Sequence, residues 1–290
     1  MKCNICGSEN YKLIHNGVRD NSKIDVYQCT KCGLKFLSDF SLNTNARYEQ
    51  GEMRSGVHDE KADGIAAISW ERWKEVTKKD DERRSKLFAK YCVGKNVLEF
   101  GCGNGGFLER IKDVACSITG VELDKIAVER LNGGGIRTVK SIHELSGEFD
   151  VICMFHVIEH LSNPDEYLKD LYSLLKPGGV LICETPNSED ALLTYYNCEA
   201  FANSTYWSKH VYLYSSKTLE FLFNRVGFRV IENTQIQRYS LSNHLYWLKE
   251  GKPGGHTIWI DFNDKELNFA YQKILLKMKK CDTLLAYFSK

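Results

Sequence analysis

The chain has 290 residues, 43% hydrophobic and 27% charged, with a formal net charge of +1. That length suits one large α/β domain with a substantial core plus a small appendage. The near-zero charge offers no global field for nucleic acid or an anionic membrane, and no run approaches the roughly 18 apolar residues of a span. The start, MKCNICGSEN, lacks the basic-then-apolar layout of a signal peptide, so a cytoplasmic protein is expected.

Two cysteine pairs come first in the chain. Cys3-x-x-Cys6 and Cys29-x-x-Cys32 are separated by 22 residues, and each is followed by glycine. Two such knuckles, each giving two thiolates, have the spacing of a zinc ribbon. Four cysteines fill a tetrahedral ion, so a structural Zn2+ is expected rather than a catalytic one. Forty residues cannot build a sufficient core alone, and the metal would make them foldable. The alternative is two unligated pairs or a redox dithiol. The other cysteines, Cys92, Cys102, Cys116, Cys153, Cys183, Cys198 and Cys281, lie in or beside apolar stretches and read as small buried hydrophobes. Residues 1–40 form the ribbon. Residues 41–84 read as a polar helical linker containing Trp70 and Trp73, and 71–91 as a helix with a solvated charged face.

From residue 92 strands and helices alternate. Strands are predicted at 96–100, 117–122, 136–140, 149–154 and 179–184, and helices at 105–113, 124–132, 163–175 and 216–226. The strands are apolar almost throughout, as in a parallel sheet covered on both faces. The alternation implies right-handed βαβ units and a doubly wound sheet. Asn163-Pro164 starts one helix and the Lys176-Pro177-Gly178-Gly179 run ends it. A sixth strand is predicted at 228–236. Residues 237–281 hold a short apolar helix (LSNHLYWL), a GKPGG loop and a longer helix (KELNFAYQKILLKMKK), read as amphipathic core cover. The final DTLLAYFSK reads as a last strand.

The stretch NVLEFGCGNGGFLERI, 96–111, carries the sharpest signal. Gly101, Gly103 and Gly106 satisfy G-x-G-x-x-G, which suits a dinucleotide, while Glu99, Gly101 and Gly103 satisfy E-x-G-x-G, which suits S-adenosylmethionine. Both ligands need a tight turn with close backbone approach and a helix N-terminus offering free N–H groups. Glu99 favours the second. A carboxylate at the strand's end repels a pyrophosphate and attracts an α-ammonium. Glu122 closes the second strand, 21 residues after Gly101, where a carboxylate can accept both ribose hydroxyls of either ligand. A glycine-rich turn with no ligand is the remaining alternative.

VLEFGCGNGGF, GVELD, FDVICMFHVIEHL and LLKPGGVLICETPN, in that order, resemble the motifs of class I S-adenosylmethionine-dependent methyltransferases, closest in type to the small-molecule branch with the ubiquinone-biosynthesis O-methyltransferases. The resemblance covers 85–235. It implies a Rossmann-like, doubly wound seven-stranded sheet whose last strand is antiparallel. The domain would then run 85–290, with 237–281 as an insertion or lid. It implies that Glu99, Gly101 and Gly103 hold the methionine moiety, Glu122 the ribose and Leu123 the adenine, with Cys102 and Phe155 also at the cofactor. The family often has an acid after the third strand, where this chain has Ser141 and Ile142. The ribbon resembles the N-terminal module of bacterial sugar methyltransferases, which implies that it packs on the domain and helps close the substrate pocket.

Methyl transfer needs an aligned nucleophile, exclusion of water and, for an alcohol, a base. His156, Glu159 and His160 follow the fourth strand with H-x-x-E-H spacing, where the ubiquinone O-methyltransferases have E-x-x-E-H, a motif that can hold a divalent ion. Either that triplet holds such an ion, or His156 meets the cofactor or acts as base while Glu159 and His160 brace the next helix. His210 is a further candidate on the acceptor side, with Tyr195, Tyr196, Tyr206 and Trp207 as a pocket wall or as plain loop anchors. Asn243, His244, Lys252 and His256 would suit a sugar or a phosphate, or an ordinary turn. The expected acceptor is a hydroxyl on a small polar molecule, a sugar or sugar nucleotide by resemblance, with nitrogen or carbon as alternatives. An RNA methyltransferase is disfavoured by the neutral charge and by FHVIEH standing where an N/D-P-P-Y/F motif would be. A non-enzymatic cofactor-binding scaffold is the other rival.

Overall fold

The computed structural model describes residues 2–52 and 68–290. The part of the expected linker at 53–67 lies outside the described residues. The strands are β1 (Tyr11–His15), β2 (Val26–Cys29), β3 (Lys35–Leu37), β4 (Asn96–Phe100), β5 (Ser117–Val121), β6 (Thr138–Val139), β7 (Phe149–Phe155), β8 (Leu175–Pro186), β9 (Tyr212–Leu213), β10 (Arg229–Ile236) and β11 (Thr283–Ser289).

They make two sheets. One is ordered β1-β2-β3-β9, and the other β10-β11-β8-β7-β4-β5-β6 with β11 antiparallel. β4 is parallel to both β5 and β7. Strand order therefore reverses between β4 and β7, and a crevice opens at such a switch point outside the carboxyl ends of the strands. The expected seven-stranded sheet is borne out, down to the antiparallel last strand.

The chain divides into two compact units. One holds Met1–Asn43, Ile158–Pro164 and Cys183–Phe288, and the other Thr44–Val157, Asp165–Ile182 and Ser289–Lys290. In the second unit the Phe88 ring stacks on Phe155 with centroids 5.5 Å apart, and Phe107 meets Phe155 edge-on at 5.2 Å. Each is buried, worth roughly 1.5–3 kcal/mol per ring. In the first unit Phe223 and Phe288 stack at 3.8 Å. Among the described residues no helix is long and apolar enough to cross a membrane.

Several boundaries move. The charged helix is Trp70–Cys92, capped by Ser69, whose hydroxyl accepts from Arg72 N–H. The third strand shortens to two residues. The helix Pro164–Leu174 stops before the Lys-Pro-Gly-Gly run, and β8 already begins at Leu175, which is wholly buried. Cys116 is exposed, contrary to the expectation of burial, while the other scattered cysteines are buried. The helix Lys265–Met278 is not core cover. Only Leu275 in it is buried, and Leu267, Phe269, Ile274, Leu276 and Met278 face solvent.

Candidate functional site

The glycine turn follows β4 directly. Gly101 has φ +76° and Gly103 φ +53°, a region that L side chains rarely adopt. The space beside each is also taken. A Cβ on Gly101 would stand 2.4 Å from the Val157 side chain, and one on Gly103 3.2 Å from the Trp73 ring. Asn104 braces the turn, its side-chain oxygen accepting from Gly106 N–H at 3.0 Å while its amide donates to Thr77 Oγ1 at 2.9 Å. Cys102 is buried, its Sγ filling the space beside Gly120, and burial raises its thiol well above the ordinary range.

Two carboxylates flank this turn. Glu99 is buried at the end of β4. Glu122, half-buried, accepts Gly103 N–H at 2.7 Å on Oε2, and Leu123 and Asp124 N–H at 2.8 and 2.9 Å on Oε1. Burial raises the Glu122 carboxyl, and the three amides offset part of that rise. Each oxygen keeps acceptor capacity for a hydroxyl. A donor set of two carboxylates with a glycine cradle suits a cationic amino group and a diol, and opposes a phosphate. Phe155 packs between Phe88 and Phe107 with the Arg84 guanidinium 4.5 Å from its ring centroid, so its ring is held by protein on several sides. Ser141, where the family's acid is missing, caps the 3₁₀ turn Ile142–Glu144 by accepting from His143 N–H.

His156, immediately after β7, is a non-glycine residue with φ +55°. Such a conformation costs about 1–3 kcal/mol and persists only where its surroundings over-determine it. No local sequence signal announces it.

In the other unit, Glu159, His160 and His210 come together, with one donor atom from each within 4.8 Å of the others. His156 is not in this group, so the H-x-x-E-H triplet is replaced by one that recruits His210 from fifty residues on. Glu159 is buried and its Oε2 accepts from Thr185 Oγ1 at 2.9 Å. His160 is buried, with Nδ1 at 2.8 Å from the Lys209 carbonyl. A carbonyl only accepts, so Nδ1 carries the proton and Nε2 the lone pair. The His160 and His210 rings are 5.0 Å apart, and Trp207 lies 6.0 and 5.3 Å from them. Sequence reasoning missed Thr185 and Lys209, which orient this cluster from distant positions.

The wall and lid residues fare unevenly. Trp207 joins the cluster. Tyr206 packs with Val18, Ile24, Val26, Leu37 and Leu213, and Tyr195 is exposed. Tyr196 Oη lies 3.0 Å from Tyr271 Oη. Asn243 accepts Gly254 N–H at 3.0 Å, an ordinary helix-turn contact. His244 is buried against Tyr271 Oη and Gln237 Nε2, at 2.9 and 3.0 Å.

The four paired cysteines form the second metal-capable group. Cys3 and Cys32 Sγ lie 3.4 Å apart and Cys6 and Cys29 Sγ 3.5 Å apart, with all four within 4.8 Å. Zinc–sulfur bonds of about 2.3 Å give a tetrahedron with edges of about 3.8 Å, so the quartet fits the ion. Burial raises the Cys29 thiol, but the Cys32 and Lys31 amides and neighbouring thiols outweigh it and bring it down to about 7.

A family model described as a methyltransferase domain matches residues 72–233. A "probable S-adenosylmethionine-dependent methyltransferase" of Mycolicibacterium smegmatis is 34% identical over 102 residues, covering 33% of this chain and 40% of that one. A ubiquinone biosynthesis O-methyltransferase of Pseudomonas aeruginosa is 30% identical over 106 residues, covering 33% and 46%. The chain thus spans less than half the length of these relatives. The crystal structure of a SAM-dependent methyltransferase from Archaeoglobus fulgidus aligns with a TM-score of 0.53 at 20% identity, covering 77% of this chain and all of that one, a likeness of fold.

Proposed function

The chain belongs to the methyltransferase-domain family, and on that premise we propose that it moves a methyl group from S-adenosylmethionine to a hydroxyl of a small polar acceptor. A sugar or sugar nucleotide of bacterial surface-polysaccharide or secondary-metabolite synthesis is the acceptor class in this reading, which draws on the ribbon's resemblance to the module of sugar methyltransferases. The observation that carries the cofactor assignment is the buried Glu99 carboxylate beside the positive-φ glycines, with Glu122 facing the Gly103 amide.

S-adenosylmethionine, when bound, supplies a methyl group on a sulfonium whose departure leaves a neutral thioether and needs no acid. The chain's residues do the rest. Glu99 takes the ammonium, Glu122 the ribose hydroxyls, and Leu123 flanks the adenine. His160 takes the acceptor's proton on Nε2, because its Nδ1 proton is committed to the Lys209 carbonyl. Such a base contributes about 10²–10⁴-fold. His210 and Glu159 supply polar contacts beside it.

A second reading has support in the same cluster. Glu159, His160 and His210 are a two-histidine, one-carboxylate set, and both Glu159 and His160 are oriented by outer partners as metal ligands are. A divalent ion there would take the acceptor oxygen in place of a base. The quartet of cysteines would hold structural Zn2+, in a cytoplasm that keeps thiols reduced.

The test is a methylation screen against nucleotide-linked sugars, read by mass spectrometry, with and without a chelator that leaves the cysteine-bound metal in place. Transfer to a hydroxyl supports the reading, and abolition by the chelator selects the ion over the base. Transfer only to RNA, or to a nitrogen or carbon, overturns the acceptor assignment.

A further inference from the structure

Within the compact unit that holds the cysteine module, the run Ser204–Leu213 is gripped along its whole length by residues 19–43. Arg19 N–H donates to the Tyr206 carbonyl at 2.9 Å, its Nη1 reaches the Ser204 carbonyl at 3.4 Å, and its guanidinium stands 4.1 Å from the Trp207 ring centroid. Asp20 accepts from Ser208 twice, from the backbone N–H at 3.0 Å and from the hydroxyl at 2.6 Å. Asn43 Nδ2 donates at 3.1 Å to the Lys209 carbonyl, the group that also takes His160 Nδ1. Leu37 N–H donates to Val211 O, and β3 pairs with β9 through Lys35–Leu213 and Phe36–Tyr212. His210 sits inside this run.

The contacts at Arg19 and Asp20 are the strong kind. A carboxylate taking two bonds from one residue is charge-assisted and geometrically specific. A guanidinium over an indole is the best of the cation–π pairings. Their targets, Trp207 and Ser208, are the third and second residues before His210, close enough that a backbone turn there would swing the imidazole away from His160.

We propose that Arg19 and Asp20 are positioning residues which, through Trp207 and Ser208, hold the His210 ring beside His160. The importance of this for catalysis rests on the reading of that pair as the acceptor-side machinery. The cysteine module is then more than a stabilising appendage, since it carries the side chains that set the histidine pair.

The test uses the full, metal-loaded chain with 15N-labelled histidine. Long-range 1H–15N spectra are followed through a pH titration, and His160 and His210 are assigned with His160→Gln and His210→Gln. Asp20→Ala, Arg19→Ala and Ser208→Ala should each shift the His210 titration by about half a pH unit or more, a threefold change in proton affinity. Asp20→Asn should restore part of the shift, since its amide can still accept from the Ser208 N–H. Metal content and S-adenosylhomocysteine affinity should stay at the parent's values. If Asp20→Ala fails to fold, Ser208→Ala decides, because it deletes a single oxygen. Unchanged His160 and His210 titrations in folded Ser208→Ala and Arg19→Ala would overturn the proposal. Absence of S-adenosylhomocysteine binding by the parent chain would overturn the methyltransferase reading instead and leave the clamp to be judged on the imidazole signals.

Discussion

The glycine turn and the histidine cluster are built in opposite ways. Everything the turn needs lies within residues 73–124: Glu99 at the strand end, the positive-φ glycines, Glu122 on the next strand, and Trp73, Thr77 and Asn104 bracing it. The histidine cluster draws Glu159 and His160 from one segment, Thr185 from another and His210 from a third, and residues 19–43 secure the third. A local site stands on its own strand and helix, whereas an assembled site is only as ordered as its most remote support.

The largest test of that contrast is metal removal. Stripping the cysteine quartet should erase hydrogen-exchange protection over β1–β3 and across 206–213, because structural zinc in small modules supplies about 10–16 kcal/mol of apparent folding energy. Protection in β4, β5 and β7 should survive. Equal loss in both places would erase the distinction. Next in size, His160→Gln should lower turnover about 10²–10⁴-fold while leaving S-adenosylhomocysteine affinity alone. An equal fall in both would mean that the two sites are one.

The pH dependence should also separate the regions. Burial pushes the His244 imidazole down to about 4 from an ordinary value of 6.5. The unfolded chain therefore binds a proton across that window which the folded chain refuses, so stability is present above pH 6.5 and falls as pH drops toward 4, by about 3 kcal/mol. His244→Gln should flatten this in urea titrations. Glu99→Gln should weaken S-adenosylhomocysteine binding about 10- to 100-fold, the worth of a charge-assisted contact. Smallest, Gly103→Ala should cost about 1–2 kcal/mol, since alanine must adopt φ +53° against the Trp73 ring.

What the sequence made legible follows the same division. The strand, turn, helix and second acid of the cofactor half are consecutive, so periodicity and glycine spacing reveal them, and the seven-stranded sheet follows from the alternation and the resemblance. The cysteine quartet was legible because each pair is local and metal chemistry restricts the spacing. The grouping of Glu159 and His160 with His210 in place of His156 was not legible. H-x-x-E-H reads as one ligand set along the chain, but His156 sits in a left-handed backbone and Lys209, not a neighbour in sequence, orients His160. The helix Lys265–Met278 misled for a related reason. Its apolar residues have helical spacing, yet what they would pack against is decided elsewhere in the fold, and only Leu275 finds cover.

Titration calorimetry with S-adenosylhomocysteine and NADH bears most directly on the cofactor claim. Uptake of one S-adenosylhomocysteine per chain, weakened by Glu99→Gln, with no heat from NADH, is the predicted result. Binding of NADH in preference, unaffected by neutralising Glu99, would contradict it.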